Sequence, residues 1–143
     1  MDKVNFLKKY ELIELTDKDN FILDIKYATK DNFIGKAVYK EPICILRKKT
    51  AEKLINANKA LNQMGYKIKI WDAFRPLIYQ ELMWEIYPDE RFVTNPKKGN
   101  SNHCKASAVD ITICDINGNQ LKMPTKFDHF GEESFRKNYI LFL

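Results

Sequence analysis

Tyr66-Lys67-Ile68-Lys69-Ile70-Trp71-Asp72 alternates polar and apolar residues between two stretches of helical spacing. A period of two sends Ile68 and Ile70 to one face, which predicts a strand with that face buried. Upstream, Ala51, Leu54, Ile55, Ala57, Asn58, Leu61 and Met64 follow the three-and-four spacing of a helix over 48–64, and Gly65 is placed to stop it. Downstream, Asp72-Ala73-Phe74-Arg75-Pro76 forms a junction at which Pro76 suits the first position of a second helix, Leu77 to Tyr87. Helix, strand and helix therefore follow one another in about forty residues, with an arginine held at the second junction.

The flanking segments are shorter. Residues 10–16 and 21–28 carry short apolar alternations, and the second, through Phe21, Leu23, Ile25 and Tyr27, suits a half-buried strand. Residues 27–36 are punctuated by Asp31-Asn32 and Gly35 like a loop, yet hold two aromatics that solubility does not require. Val38-Tyr39 and Ile43–Leu46 are brief extended candidates around Pro42, which argues against one long strand there. A polar loop over 89–100 leads to Ser101; 108–114 alternates as a strand, and Asn117-Gly118 signals a tight hairpin before Gln120-Leu121. An aromatic-rich loop, 123–131, precedes a helix expected to begin at Glu132 or Glu133 and to run to Leu143.

The 143 residues suit a single domain, 1–143, burying roughly two-thirds of its unfolded surface. No apolar run approaches the ~18 residues of a membrane span, and the charged N-terminus lacks the pattern of a signal peptide, so a cytoplasmic protein without membrane attachment is expected. Cys44, Cys104 and Cys114 are odd in number and lack C-x-x-C spacing, which predicts reduced thiols. Cys104, beside His103, is either a ligand or nucleophile or a small side chain filling a slot, and the latter is favoured. The net charge of +5 comes from scattered lysines with no nucleic-acid motif, so a solvated basic surface is expected and no nucleic-acid partner.

Chemistry concentrates in Ser101 to Asp110, which holds one of the two histidines. An imidazole at His103 and a carboxylate at Asp110, at the start of a strand, are donors of the kind zinc takes in a catalytic site, where three protein ligands leave a position for water. Arg75 has two readings of equal weight: an ion pair with Asp72 or a C-terminal carbonyl, and a guanidinium placed to fork onto a carboxylate or an oxyanion.

With these residues in view, the chain resembles the zinc-dependent D-alanyl-D-alanine dipeptidases, the vancomycin-resistance type and its housekeeping relatives. The S-x-H-x-x-G-x-A-x-D motif of that family matches Ser101, His103, Ala108 and Asp110, with Ala106 in place of the glycine. Its K-Y-A-T-x-D-N-F-x-G-K loop matches Lys26 to Thr29, Asp31 to Phe33, and Gly35-Lys36; its D-x-F/Y-R-P turn matches Asp72, Phe74, Arg75 and Pro76; and its F-D-x-F/M loop matches Phe127, Asp128 and Phe130.

The resemblance implies an α+β fold, a central, mostly antiparallel sheet with helices packed on it in the hedgehog and D,D-peptidase manner. It implies Zn2+ as cofactor, His103 and Asp110 as ligands and Arg75 as the cation stabilising the tetrahedral oxyanion. Tyr27 and Asp128 would hold the ammonium group of a small dipeptide substrate, and Ser101 its carboxylate end. The family's E-x-x-H element, source of the third ligand and general base, has no counterpart in the sequence. A C-terminally truncated domain is therefore expected. Either it is an active dipeptidase of cell-wall precursor or recycling metabolism, or it is an inactive homologue that binds dipeptide or metal weakly and pairs with a second copy. His129, in an H-x-x-E with Glu132, is read either as a surrogate ligand or as a residue lining the pocket.

Overall fold

A computed structural model describes residues 1–135, in the order α1 (Lys3–Lys9), β1 (Leu12–Leu15), β2 (Ile22–Leu23), β3 (Cys44–Arg47), α2 (Lys48–Gln63), β4 (Tyr66–Asp72), α3 (Leu77–Ile86) and β5 (Asp110–Asp115). The fold is mixed α+β. Its strands form two small sheets rather than one central sheet: β1 pairs antiparallel with β3, and β4 lies between parallel β2 and antiparallel β5. Phe74 joins them, its N–H donating to Ile45 O of β3 at 3.1 Å immediately after β4 ends.

The helix–strand–helix expectation holds, with a shift at Pro76. Its ψ of 141° is extended, so Pro76 caps α3 from outside instead of opening it. Gly65 follows α2 at φ +83°, and its N–H reaches Asn62 O at 3.1 Å, the left-handed stop that glycine adopts without a Cβ penalty. On α2 the buried positions are Ala51, Leu54 and Asn58, while Met64 and Ala57 face out. Asn58 is buried because its amide serves backbone: Oδ1 accepts from Ile68 N at 2.9 Å and Nδ2 donates to Asn20 O at 3.1 Å, locking α2 onto β4 and the turn before β2.

Over 21–28 the alternation survives in burial but not in pairing. Phe21, Ile25 and Tyr27 are all buried. Only Ile22–Leu23 form a strand, and after Asp24 N donates to Ile70 O at 2.9 Å the chain coils into a 3-10 turn over Lys26–Ala28. Lys26, ion-paired to Asp24 and Asp31 at the two ends of this turn, draws the chain round. Val38 and Tyr39 likewise form no strand, because both N–H groups donate to Tyr27 O. The hairpin after β5 is one bridge, Cys114 with Gln120. Helix α1, capped by Asp2, was not expected from the sequence and buries nothing. The expected C-terminal helix is represented by one 3-10 turn, Glu132–Ser134; its continuation over 136–143 lies outside the described residues. No helix among the described residues is long and apolar enough to cross a membrane.

Two apolar clusters result. Leu15, Phe21, Leu46, Leu54, Ile68 and Ile70 fill the space between α2 and the sheets. Tyr27, Met83 and Val93 centre a second cluster, with Phe33, Phe127 and Phe130 against it, which brings the 27–36 and 123–131 loops together over α3. The aromatics of the first loop are thus wall material.

Candidate functional site

Strand β4 meets β5 through an irregularity between Ile70 and Asp72, after which Asp72 and Asp110 are direct Cα partners. An interrupted ladder re-aims side chains at a strand end, and here it puts two carboxylates beside the junction carrying Arg75. The loop from Ser101 returns to the same place, since Arg75 N donates to His103 O at 3.1 Å. Ala106 N closes a turn on His103 O at 3.0 Å with φ at +53°. The motif's glycine position therefore does use left-handed backbone, which alanine occupies at a cost. Ala106→Gly is expected to raise stability by a few tenths to about 1 kcal/mol, checked by the thermal midpoint.

His103 Nδ1 lies 2.8 Å from Ala73 O. A carbonyl only accepts, so Nδ1 carries a proton, and whenever the ring is neutral it is Nε2 that presents the lone pair. Nε2 lies 3.5 Å from Asp110 Oδ1. Two donors bonded to a tetrahedral zinc at about 2.0–2.1 Å sit about 3.4 Å apart, so this pair is spaced for such an ion. Burial pulls the His103 pKa down, but the Asp110 carboxylate outweighs it and raises it; burial pushes Asp110 up, and His103 and Arg75 hold it below the usual range.

Among the described residues, Asp72, His103 and Asp110 form a group whose donor atoms lie within 4.8 Å of one another and could hold a metal. The lone pairs divide it. Asp72 Oδ1 accepts from Tyr39 OH at 2.9 Å and Ala73 N at 3.0 Å, and Oδ2 accepts from Arg75 Nε at 3.0 Å and Nη2 at 2.7 Å. It also faces Nδ1 of His103, at 3.7 Å, which is the committed nitrogen. Asp72 is the counter-ion of Arg75, and His103 and Asp110 are the open donors.

Arg75 makes the ion pair with Asp72 that is one of its two readings, and the same side chain also reaches the cavity. It is paired with Asp72, lies with Cζ 5.3 Å from the Tyr27 ring centroid, and still lines the main cavity with Nη2 3.7 Å from Asp110 Oδ2. Burial works against its charge, yet Asp72 holds its pKa above the ordinary arginine value.

The cavity, about 620 Å³, is lined by Tyr27, Arg75, Ser101, His103, Asp110, Asp128 and His129, so these seven residues meet there, while Cys104 does not line it. Asp128 accepts from Tyr27 OH at 3.0 Å and from Phe33 N at 3.1 Å. Burial pushes its carboxyl up to about 6 against both hydrogen bonds. Burial also raises the Tyr27 hydroxyl well above the ordinary tyrosine value, keeping it a donor at neutral pH. Ser101 is buried, with Oγ accepting from His103 N at 3.3 Å.

His129 stands apart from the metal group, its Nε2 2.5 Å from Glu133 Oε1, and it partners Glu133 rather than the Glu132 of the sequence pattern. Burial raises the Cys104 thiol, and Cys104 is not in the group, in keeping with a filling role. Sequence reasoning passed over Tyr39 and Gln80. For Gln80 a signal existed, because it lies three residues before Met83 on α3 and shares its buried face.

Residues 12–140 match a family model described as D-ala-D-ala dipeptidase. A D-alanyl-D-alanine dipeptidase of Escherichia coli is 36% identical over 112 residues, 78% of this chain and 58% of that protein. Those of Enterococcus faecium and Enterococcus faecalis are 28% and 30% identical over 131 residues, each covering 78% of this chain and 65% of the relative. The chain thus spans 58 to 65% of the length of these curated relatives. A match over nearly all its length, together with four motifs that converge on one cavity, means that the chain belongs to the D-ala-D-ala dipeptidase family.

Proposed function

We propose that the chain carries the substrate pocket and two metal ligands of a zinc-dependent dipeptidase acting on D-alanyl-D-alanine. The observation that carries this reading is the 3.5 Å approach of His103 Nε2 to Asp110 Oδ1 beside a buried arginine. A bound zinc would supply an activated water and Lewis-acid polarisation at neutral pH. Arg75 supplies fixed positive charge where a tetrahedral oxyanion would develop, so no reorganisation is needed at the moment of reaction. Asp128, oriented by Tyr27, takes the ammonium group of the dipeptide, and Ser101 contacts its carboxylate end. Free dipeptides are preferred for that reason.

A second reading, dipeptide binding without hydrolysis, is favoured by the donor count: among the described residues the open donors of the metal group are two. Metal analysis beside a D-alanine release assay separates the two. Stoichiometric zinc with release supports hydrolysis; dipeptide binding without release supports the second reading.

The Asp128 pocket has its own pH signature. As pH falls through about 6 the carboxyl takes up a proton and loses its charge, so KM for the dipeptide is expected to rise. Asp128→Asn, which tolerates the φ of +57° at this position, should have high KM and no such inflection. The stability sign is opposite. The folded pKa exceeds the ordinary 3.8, so the folded state binds more protons between the two values and stability falls as pH rises from about 4 to about 6. Asp128→Asn should abolish that slope in denaturant melts.

A further inference from the structure

We infer that Gln80 is a positioning residue for Arg75, fixing the angle at which the guanidinium meets the cavity. The inference rests on the dipeptidase reading above for its kinetic consequence, and on geometry for its structural one. Both bonds from Arg75 to Asp72 converge on one oxygen, Oδ2, from Nε at 3.0 Å and from Nη2 at 2.7 Å. A fork gripping two oxygens cannot turn, but one gripping a single oxygen pivots about it. The Tyr27 ring, 5.3 Å from Cζ, restricts tilting of the guanidinium and leaves rotation within its own plane free.

Gln80 removes that freedom. Its Oε1 accepts from Arg75 Nη1, the nitrogen not bonded to Asp72, at 2.8 Å. The amide has one orientation available. Arginine offers only donors and the Thr94 carbonyl only accepts, so Oε1 must face Arg75 while Nε2 donates to Thr94 O at 2.8 Å. Gln80 is 1% exposed, so no water competes for either end. The link also runs along the chain: Thr94 lies in the loop that leads to Ser101 and His103. Gln80 therefore sets Arg75 against the same loop that presents the histidine. Three of the five guanidinium N–H groups are taken in this way, and Nη2 also lies 3.7 Å from Asp110 Oδ2 at the cavity.

The test compares wild type, Gln80→Leu, which removes both bonds, and Gln80→Glu, which keeps an oxygen toward Arg75 and loses the donor to Thr94. In D-alanyl-D-alanine hydrolysis, Gln80→Leu should lower kcat about 10- to 100-fold, the scale of a 1 Å misplacement. KM should stay within about twofold and zinc content unchanged, with Gln80→Glu recovering most of the kcat. An unchanged kcat, or a loss that Gln80→Glu does not recover, overturns the inference. If wild type releases no D-alanine, the dipeptidase reading fails on its own and the positioning role is decided by nuclear magnetic resonance of the Arg75 guanidinium. Separate, slowly exchanging Nη signals in wild type support a locked group, and averaged signals overturn it whether or not either variant folds.

Discussion

Arg75→Met is expected to destabilise the fold by about 3–5 kcal/mol, the cost of leaving one member of a buried ion pair without its partner. Asp72 is 0% exposed and Arg75 8%. Removing the guanidinium strips Asp72 Oδ2 of both side-chain donors, at 3.0 and 2.7 Å, and leaves Gln80 Oε1 with nothing to accept. The double variant Asp72→Asn/Arg75→Met should recover most of that stability in urea melts, because the orphaned charge is gone and similar volume remains. On the dipeptidase reading proposed above it should not recover hydrolysis, because loss of a donor aimed at developing negative charge costs on the order of 10²–10³ in kcat. Stability returning without activity separates the structural role of the pair from the catalytic one. Equal recovery of both would mean that Arg75 acts only as a counter-ion.

Asp110→Asn is expected to do the reverse: with Asp110 as the zinc ligand proposed above, it lowers metal affinity while largely sparing the fold. The side chain is partly exposed, and its contacts with Arg75 and His103 are long, at 3.7 and 3.5 Å, so the stability its charge draws from them is small. What rests on it is the second donor beside His103 Nε2, at the separation that a tetrahedral ion spans. Loss of an outer-shell partner already lowers metal affinity about 10- to 100-fold, and removal of a ligand charge should exceed that. Competition titration against a zinc chelator reads the affinity, and a thermal melt of the metal-free protein should give the wild-type midpoint. An unchanged zinc affinity would exclude Asp110 as a ligand.

The extent of legibility differs from element to element. Strand β4 and helix α2 were plain because hydrophobic periodicity over seven and sixteen residues leaves one way to bury the apolar face. Residues 21–28 kept their alternation in burial but lost strand pairing after Asp24, since periodicity reports which side chains go inward and not whether the backbone has a neighbour. The division of the strands into two sheets, joined by the Phe74 hydrogen bond to Ile45, is a long-range choice with no local signature.

The site divides along the same line. His103, Asp110, Arg75, Tyr27, Ser101 and Asp128 stand in recognisable motifs, and residue type alone limits what each can do: imidazole and carboxylate donate lone pairs, guanidinium donates protons. Their relations belong to the tertiary structure. The irregularity in β4 that sets Asp72 opposite Asp110, the Ala73 carbonyl that leaves Nε2 of His103 open, and the Gln80 bond that stops Arg75 from pivoting all join residues brought together only by folding. Sequence thus determined the chemical inventory and the longer elements, because both are local properties. Tertiary structure decided which carboxylate neutralises the arginine and which stays open, because a lone pair is committed only when its partner lies within about 3 Å.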